Sequence, residues 1–229
     1  MFHHEGPSRS PRTNAIVAGY LAFIGGFVNS GGFITVGAFT SHVTGSVGRI
    51  GTHLATGDPG AAVLALSLVL SFFVGSVGAT LIIEGHAPKA VSRAYGRALL
   101  VEAALLALFV VTQARRDVAC AVLCAAMGMQ NSLVTRLSGA VIRTTHLTGV
   151  VTDLGIEAAR WLRWQQTRRE RPQRSRIALL AVIVATFVAG AVAGGTLTAR
   201  FDRHAMGLPA VGVAAAAALA LRRPRLEPP

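Results

Sequence analysis

The sequence predicts an all-α membrane protein of about six transmembrane helices, set out as two inverted three-helix repeats, each with a short broken or re-entrant helical segment. Three observations predict it: long uncharged apolar runs, a duplicated Ser/Thr-x-His-x-Thr-Gly motif, and an uneven distribution of arginine along the chain.

The runs come first. Of 229 residues, 52% are hydrophobic and 14% charged, against about 25% charge in soluble domains. Ala15–Phe39, Ala61–Ile83, Val118–Thr135 and Ile177–Ala199 contain no acidic or basic residue and are 25, 23, 18 and 23 residues long. Roughly 20 helical residues cross the hydrocarbon core. Ala98–Ala114, with Glu102 as its one charge, and the uncharged Ala205–Leu221 complete six spans. A soluble bundle would place polar residues every few positions on its wet face, and these runs do not. Arg9 and Arg12 precede the first run as in a secretory signal, but the run is too long and has no Ala-x-Ala site, so a retained helix is expected.

The resulting organisation is a tail at 1–14, a first repeat at 15–114 with its break at 40–55, and a second repeat at 118–221 with its break at 143–162. A basic loop covers 160–176 and a tail 222–229. Cys120 and Cys124 are the only cysteines; four apart inside an apolar run, they are expected to pack as small apolar residues, with no disulfide framework. No cofactor or metal is expected.

The net charge of +12 is a topology signal, and no nucleic-acid motif accompanies it. With a cytoplasmic N-terminus, 17 Lys/Arg fall in the N-terminal tail, Glu84–Arg97, Arg136–Arg176 and the C-terminal tail, and five (Arg49, Arg115, Arg116, Arg200, Arg203) fall outside. That split follows the positive-inside rule and places both termini in the cytoplasm. Within Arg160–Arg176, seven arginines stand against Glu170, with Trp161 and Trp164 at the start. Two readings stay open there: a segment lying on anionic lipid, and a solvated loop.

The duplication decides the architecture. Thr40-Ser41-His42-Val43-Thr44-Gly45-Ser46-Val47 matches Thr144-Thr145-His146-Leu147-Thr148-Gly149-Val150-Val151 at five of eight positions. Upstream, Gly26-Phe27-Val28-Asn29-Ser30 aligns with Gly128-Met129-Gln130-Asn131-Ser132, and downstream Phe73-Val74-Gly75-Ser76-Val77-Gly78 resembles the Gly-rich run Val188-Ala189-Gly190-Ala191-Val192-Ala193. Three spans per copy is an odd number, so the second copy lies upside down relative to the first, as in many secondary transporters.

The breaks are the candidate site. Each is expected to begin a short helix with a Ser/Thr N-cap and to dip into the membrane from opposite faces. Irregular backbone at that depth needs protein or a water-filled cavity around it, and two such helix N-termini meeting near the midplane would favour an anion. The residues expected to contact a solute are Asn29, Ser41, His42, Thr44, Gly45, Gln130, Asn131, Arg143, Thr145, His146, Thr148, Gly149 and Asp153. For Asn29 and Asn131 a role as interhelical hydrogen-bonders competes with solute contact. Asp153, two turns beyond His146, is placed to orient that imidazole or relay a proton. Glu102 either faces the bundle interior or reaches the headgroups from the cytoplasmic end of its span.

The stretches Gly26–Asn29, Ser41–Gly45, Gly128–Ser132 and Arg143–Gly149 resemble the signature segments of the YoaK-like family of bacterial integral membrane proteins, which is catalogued as a domain of unknown function. The resemblance runs from about Ala15 to Leu221 and implies a multi-span helical fold in the bacterial inner membrane. It implies no activity. Family members often carry an acidic residue where Ser30 stands here.

The expected function is a secondary transporter or channel-like carrier of a small solute, an anion preferred. The alternative is a membrane scaffold or sensor without transport. A membrane enzyme ranks third, because no Ser-His-Asp, His-Glu-x-x-His or phosphate-loop pattern is present. Expected partners are the lipid bilayer, the solute and, for a bundle this small, a second copy as a homodimer joined through Gly-rich faces.

Overall fold

The computed structural model describes residues 11–85, 91–111, 115–137, 145–167 and 173–222. Within them the chain forms α1 (Pro11–Val36), α2 (Val43–Ala55), α3 (Pro59–Glu84), α4 (Val91–Val111), α5 (Arg116–Leu137), α6 (Leu147–Thr167), α7 (Arg174–Phe201), a short 3-10 turn (Asp202–Met206) and α8 (Gly207–Leu221). Five stretches are long and apolar enough to cross a membrane: Arg12–Val36, Pro59–Glu84, Val91–Val111, Arg116–Arg136 and Arg174–Leu221. The chain is a multi-pass helical membrane protein. The lipid-facing surface is apolar: Val63, Leu66, Leu70, Phe73, Val74 and Leu81 of α3 all stand exposed, as hydrocarbon requires.

The last of the five stretches is 48 residues long, about 72 Å if straight and over twice a hydrocarbon core of about 30 Å. It is not straight. Asp202 ends α7 with φ 52° and ψ −145°, a backbone state few L-residues tolerate, and the chain reverses there. α7 runs parallel to α1, with Val182 beside Gly19 and Thr198 beside Gly31. After the turn Met206 is again beside Gly31, and Gly212 lies against Tyr20 and Ile24. α8 therefore descends antiparallel to α1.

Glycine sets the principal crossings. In α1 against α7, a Cβ on Gly26 would fall on the Phe187 carbonyl, and one on Gly190 would fall on the Phe23 carbonyl. In α5 against α3, Gly128 meets the Phe72 carbonyl and Gly75 meets the Ala125 carbonyl in the same way. One crossing is thus built twice, from the residues that the sequence alignment pairs. Close backbone approach through small residues is the usual basis of helix association in lipid. Gly75, Gly190 and Gly194 each face a backbone carbonyl of a neighbouring helix of the same chain. Gly78, with nothing near it, is not used in the chain.

α1 and α5 contact each other in antiparallel sense: Gln130 lies beside Gly25 and Leu123 beside Gly32. α4 packs on α8, where Ser92 Oγ donates to the Ala220 carbonyl at 2.7 Å. α2 rests on α3 and α6 on α7. Both differ from expectation. The residue before each helix is the motif histidine: His42 caps α2 without a side-chain hydrogen bond, so the predicted Ser/Thr cap is absent there. Ser41 is engaged elsewhere, as described below. α6 is also no short segment; it continues for 21 residues to Thr167, through the first part of the basic region.

Candidate functional site

Asn29 and Asn131 organise the two breaks. The Asn29 Oδ1 accepts from the Ser41 amide at 3.2 Å and from the Ser41 hydroxyl at 3.1 Å. At the matching place, Asn131 Oδ1 accepts from the Thr145 hydroxyl, while its Nδ2 donates to the Met127 carbonyl at 2.8 Å. Each asparagine ties the residue preceding the motif histidine to the first helix of its copy. Of the two roles weighed for these amides, internal bonding is the one their geometry displays. The hydroxyl holds the break, which is why it does not cap the helix.

The breaks reach α1 at different heights. Thr40 lies against Gly32, and Thr145 lies against Gly25. Seven residues of helix separate those contacts by about 10 Å. Buried polar atoms without a hydrogen-bond partner mark the same stretch of α1. Thr40 Oγ1 is one, beside Gly32; Gln130 Oε1 is another, on a side chain whose amide donates to the Leu21 carbonyl at 2.8 Å. Thr198 Oγ1, beside Gly31, is the third. Buried polar groups normally find partners, so three orphaned acceptors along one helix segment mark a strip suited to water or to a polar solute. Thr198 and Thr40 were not among the predicted contacts. Threonine in an apolar helix, as Thr198 is in α7, commonly bonds its own backbone, and Thr40 lies in the turn between α1 and α2; only the packing singles out these two.

The remaining predicted residues divide. The His42 ring lies over Gly45, where a Cβ would sit 2.6 Å from Nδ1, and faces Phe39 edge-on at 6.4 Å. That explains Gly45 sterically; a Cβ on Gly149 would meet nothing within 4 Å. His42, Thr44, His146, Thr148 and Gly149 are exposed, and α2 and α6 share no packed interface among the described residues. The expected meeting of two helix N-termini in one pocket does not occur. Asp153 is also redirected: its carboxylate pairs with Arg176 at 3.2 Å. Arg176 is within 3.8 Å of Glu157 too, a buried acid that pairs with Arg160 at 2.8 Å. Asp153 and Glu157, one turn apart, clamp α6 to the start of α7. Arg143 lies outside the described residues.

A cleft of about 370 Å³ opens at the Val36 end of α1, lined by Arg49 of α2, Arg115, Arg116 and Asp117 at the start of α5, and apolar residues of α3. Gly37 adopts φ +69°, and the Arg116 guanidinium occupies the space where its Cβ would be. Arg116 Nε donates to the Val36 carbonyl at 2.7 Å. Arg115 pairs with Asp117 at 3.2 Å. Arg49 has no ion pair among the described residues. Three guanidiniums against one carboxylate leave the cleft cationic. In sequence these arginines carried only topology information, because α2 and α5 lie some seventy residues apart in the chain.

These features define a class: a multi-pass helical membrane protein with a polar strip at its centre and a cationic cleft at one end. Over residues 17–219 the chain matches the family described as protein of unknown function (DUF1275). It belongs to that family. No curated protein and no solved structure matches it.

Proposed function

We propose that this protein is a six-pass secondary transporter or channel-like carrier of a small anionic solute, residing in a bacterial inner membrane with both termini in the cytoplasm. The observation that carries the reading is the doubled assembly. The same glycine crossing and the same asparagine-to-hydroxyl tie occur twice, on first helices that run antiparallel. An inverted repeat of this kind supplies two equivalent half-structures between which a central site can be exposed alternately. The return of α8 along α1 supports counting it as the sixth span. The outside cleft of Arg49, Arg115 and Arg116 supports an anion as cargo, since guanidiniums bind carboxylate and phosphate in fixed geometry. From the cleft, the orphaned acceptors of Thr40, Thr198 and Gln130 lead toward the second break. No step in this reading is catalytic.

Efflux from vesicles reconstituted with the full chain, over a panel of small carboxylates, phosphate and halides, tests it. Wild-type protein should move at least one anion well above empty vesicles, and Arg49→Ala, which removes an exposed side chain with no ion pair among the described residues, should lower that rate about tenfold. Wild-type rates equal to empty vesicles for every anion would sink the transporter reading. Transport untouched by Arg49→Ala would sink the cleft assignment.

One observation favours the scaffold or sensor alternative. α6 and α7 enclose an apolar cleft of about 530 Å³ lined by Leu154, Ala158, Trp161, Leu162 and Ile177, with Arg174 over the Trp161 ring at 5.4 Å. Tryptophan and arginine beside an apolar groove suit the lipid interface. On that alternative the protein would require anionic lipid while moving no solute.

A further inference from the structure

Glu102 occupies the middle of α4. It is 0% exposed, and neither carboxyl oxygen has a hydrogen-bond partner. This settles the two readings left open from sequence: the side chain faces the interior and does not reach the headgroups. Its neighbours on α4, Ala98, Leu99, Ala103 and Leu106, are buried and apolar. α8 brings Pro209, Ala210, Val213, Ala216 and Ala217 to the core and carries no ionisable group at all.

The other elements packed on α4 add little charge. α3 has none before Glu84, which pairs with Arg136 of α5 at 2.7 Å. On α5, Asp117 pairs with Arg115, Arg116 with the Val36 carbonyl, and Cys120 with Cys124. The 3-10 turn offers Asp202, Arg203 and His204, of which Asp202 and Arg203 face each other at 3.8 Å. α1 shares no packed interface of note with α4 among the described residues, and its Tyr20 reaches α8 instead. Tyr20 is half-buried, and its hydroxyl fits against α8 where Gly212 leaves room, 2.9 Å from the place of a Cβ.

An isolated carboxylate in an apolar interior is strongly disfavoured, so the group neutralises by taking up a proton. A permanently neutral residue here would be served as well by glutamine or leucine. What glutamate adds is an exchangeable proton, and acids inside membrane spans commonly mark proton pathways. We propose that Glu102 is a proton-binding site of the bundle. In release, the carboxyl O–H breaks and its proton passes to water, leaving Glu102 as carboxylate; uptake reverses the transfer. This makes the carrier proton-coupled; that last consequence rests on the carrier reading, whereas the proton site does not.

Infrared difference spectroscopy of the full chain in vesicles tests the site without any solute. Wild-type protein should show a protonated-carboxyl C=O band that is missing in Glu102→Gln, an isosteric neutral change, and that disappears as the pH is raised. The proposal is overturned if no band depends on Glu102, or if the band is unchanged as the pH is raised. Because no anion is present, a failure here is distinct from a failure of transport.

Discussion

Substituting Gly128 by alanine tests the duplicated crossing, with Gly78→Ala as its control. At Gly128 the new Cβ falls on the Phe72 carbonyl, whereas at Gly78 it meets nothing within 4 Å. Both changes gain about 1 kcal/mol of helix propensity. The crossing adds an overpacking cost of about 1–3 kcal/mol. Its upper end applies here, because the obstacle is a helix carbonyl that cannot rotate aside and α3 must move bodily away from α5. A radial gap of 0.5–1 Å already forfeits about a quarter to a half of each dispersion contact lining the interface. Net, Gly128→Ala should destabilise by about 2 kcal/mol and Gly78→Ala should stabilise by about 1 kcal/mol. On the scale of a chain this size, that separates their melting temperatures by roughly 6–12 °C. Thermal unfolding in one detergent reads it directly. Gly26→Ala, facing the Phe187 carbonyl, should fall with Gly128→Ala. Equal melting of the Gly78 and Gly128 variants would refute the crossing, and a silent Gly26→Ala would refute its duplication.

Two further outcomes follow from single contacts. Asn29→Ala frees the Ser41 amide and hydroxyl, and Asn131→Ala frees the Thr145 hydroxyl. Each should cost about 1 kcal/mol, and in Asn29→Ala the Ser41 amide should exchange hydrogen faster by mass spectrometry; unchanged exchange would show that the asparagine does not hold the break. Asp202→Gly should raise stability by about 1 kcal/mol, since only its strained positive-φ backbone is relieved while its exposed 3.8 Å ion pair with Arg203 contributes little. A lower melting temperature would show that the Asp202 side chain is needed for the turn.

Proton and anion experiments bear on separate parts of the molecule. The arginine cleft lies at the Val36 end of α1, and Glu102 is buried in the middle of α4, which packs on α8. Arg49 is on α2 and Glu102 on α4, which share no packed interface of note among the described residues, so the effects of Arg49→Ala and Glu102→Gln on transport should combine nearly independently.

The sequence by itself determined the membrane class, the long apolar helices and the duplicated motif. Composition along 20-residue windows is a local property, and an uncharged run such as Ala61–Ile83 has few alternatives to a lipid-crossing helix. The motif pairs were equally legible, because His42 with Gly45 and Asn29 with Asn131 are matched in chemistry and order. What each residue touches was not. Ser41 and Asn29 are twelve positions apart, and only the fold of α1 back onto the break makes one the acceptor for the other. Asp153 sits at the right helical spacing to face His146, and α7 brings Arg176 to it as well, an ion-pair partner from a second helix that no spacing within α6 reveals. The tertiary structure also gathered Arg49 with Arg115 and Arg116, and left Thr40, Thr198 and Gln130 with unpartnered oxygens around α1. For Glu102 the sequence left the interior and the headgroups equally open. The side chain's direction depends on which face of α4 meets α8, and that is fixed by packing across the whole bundle.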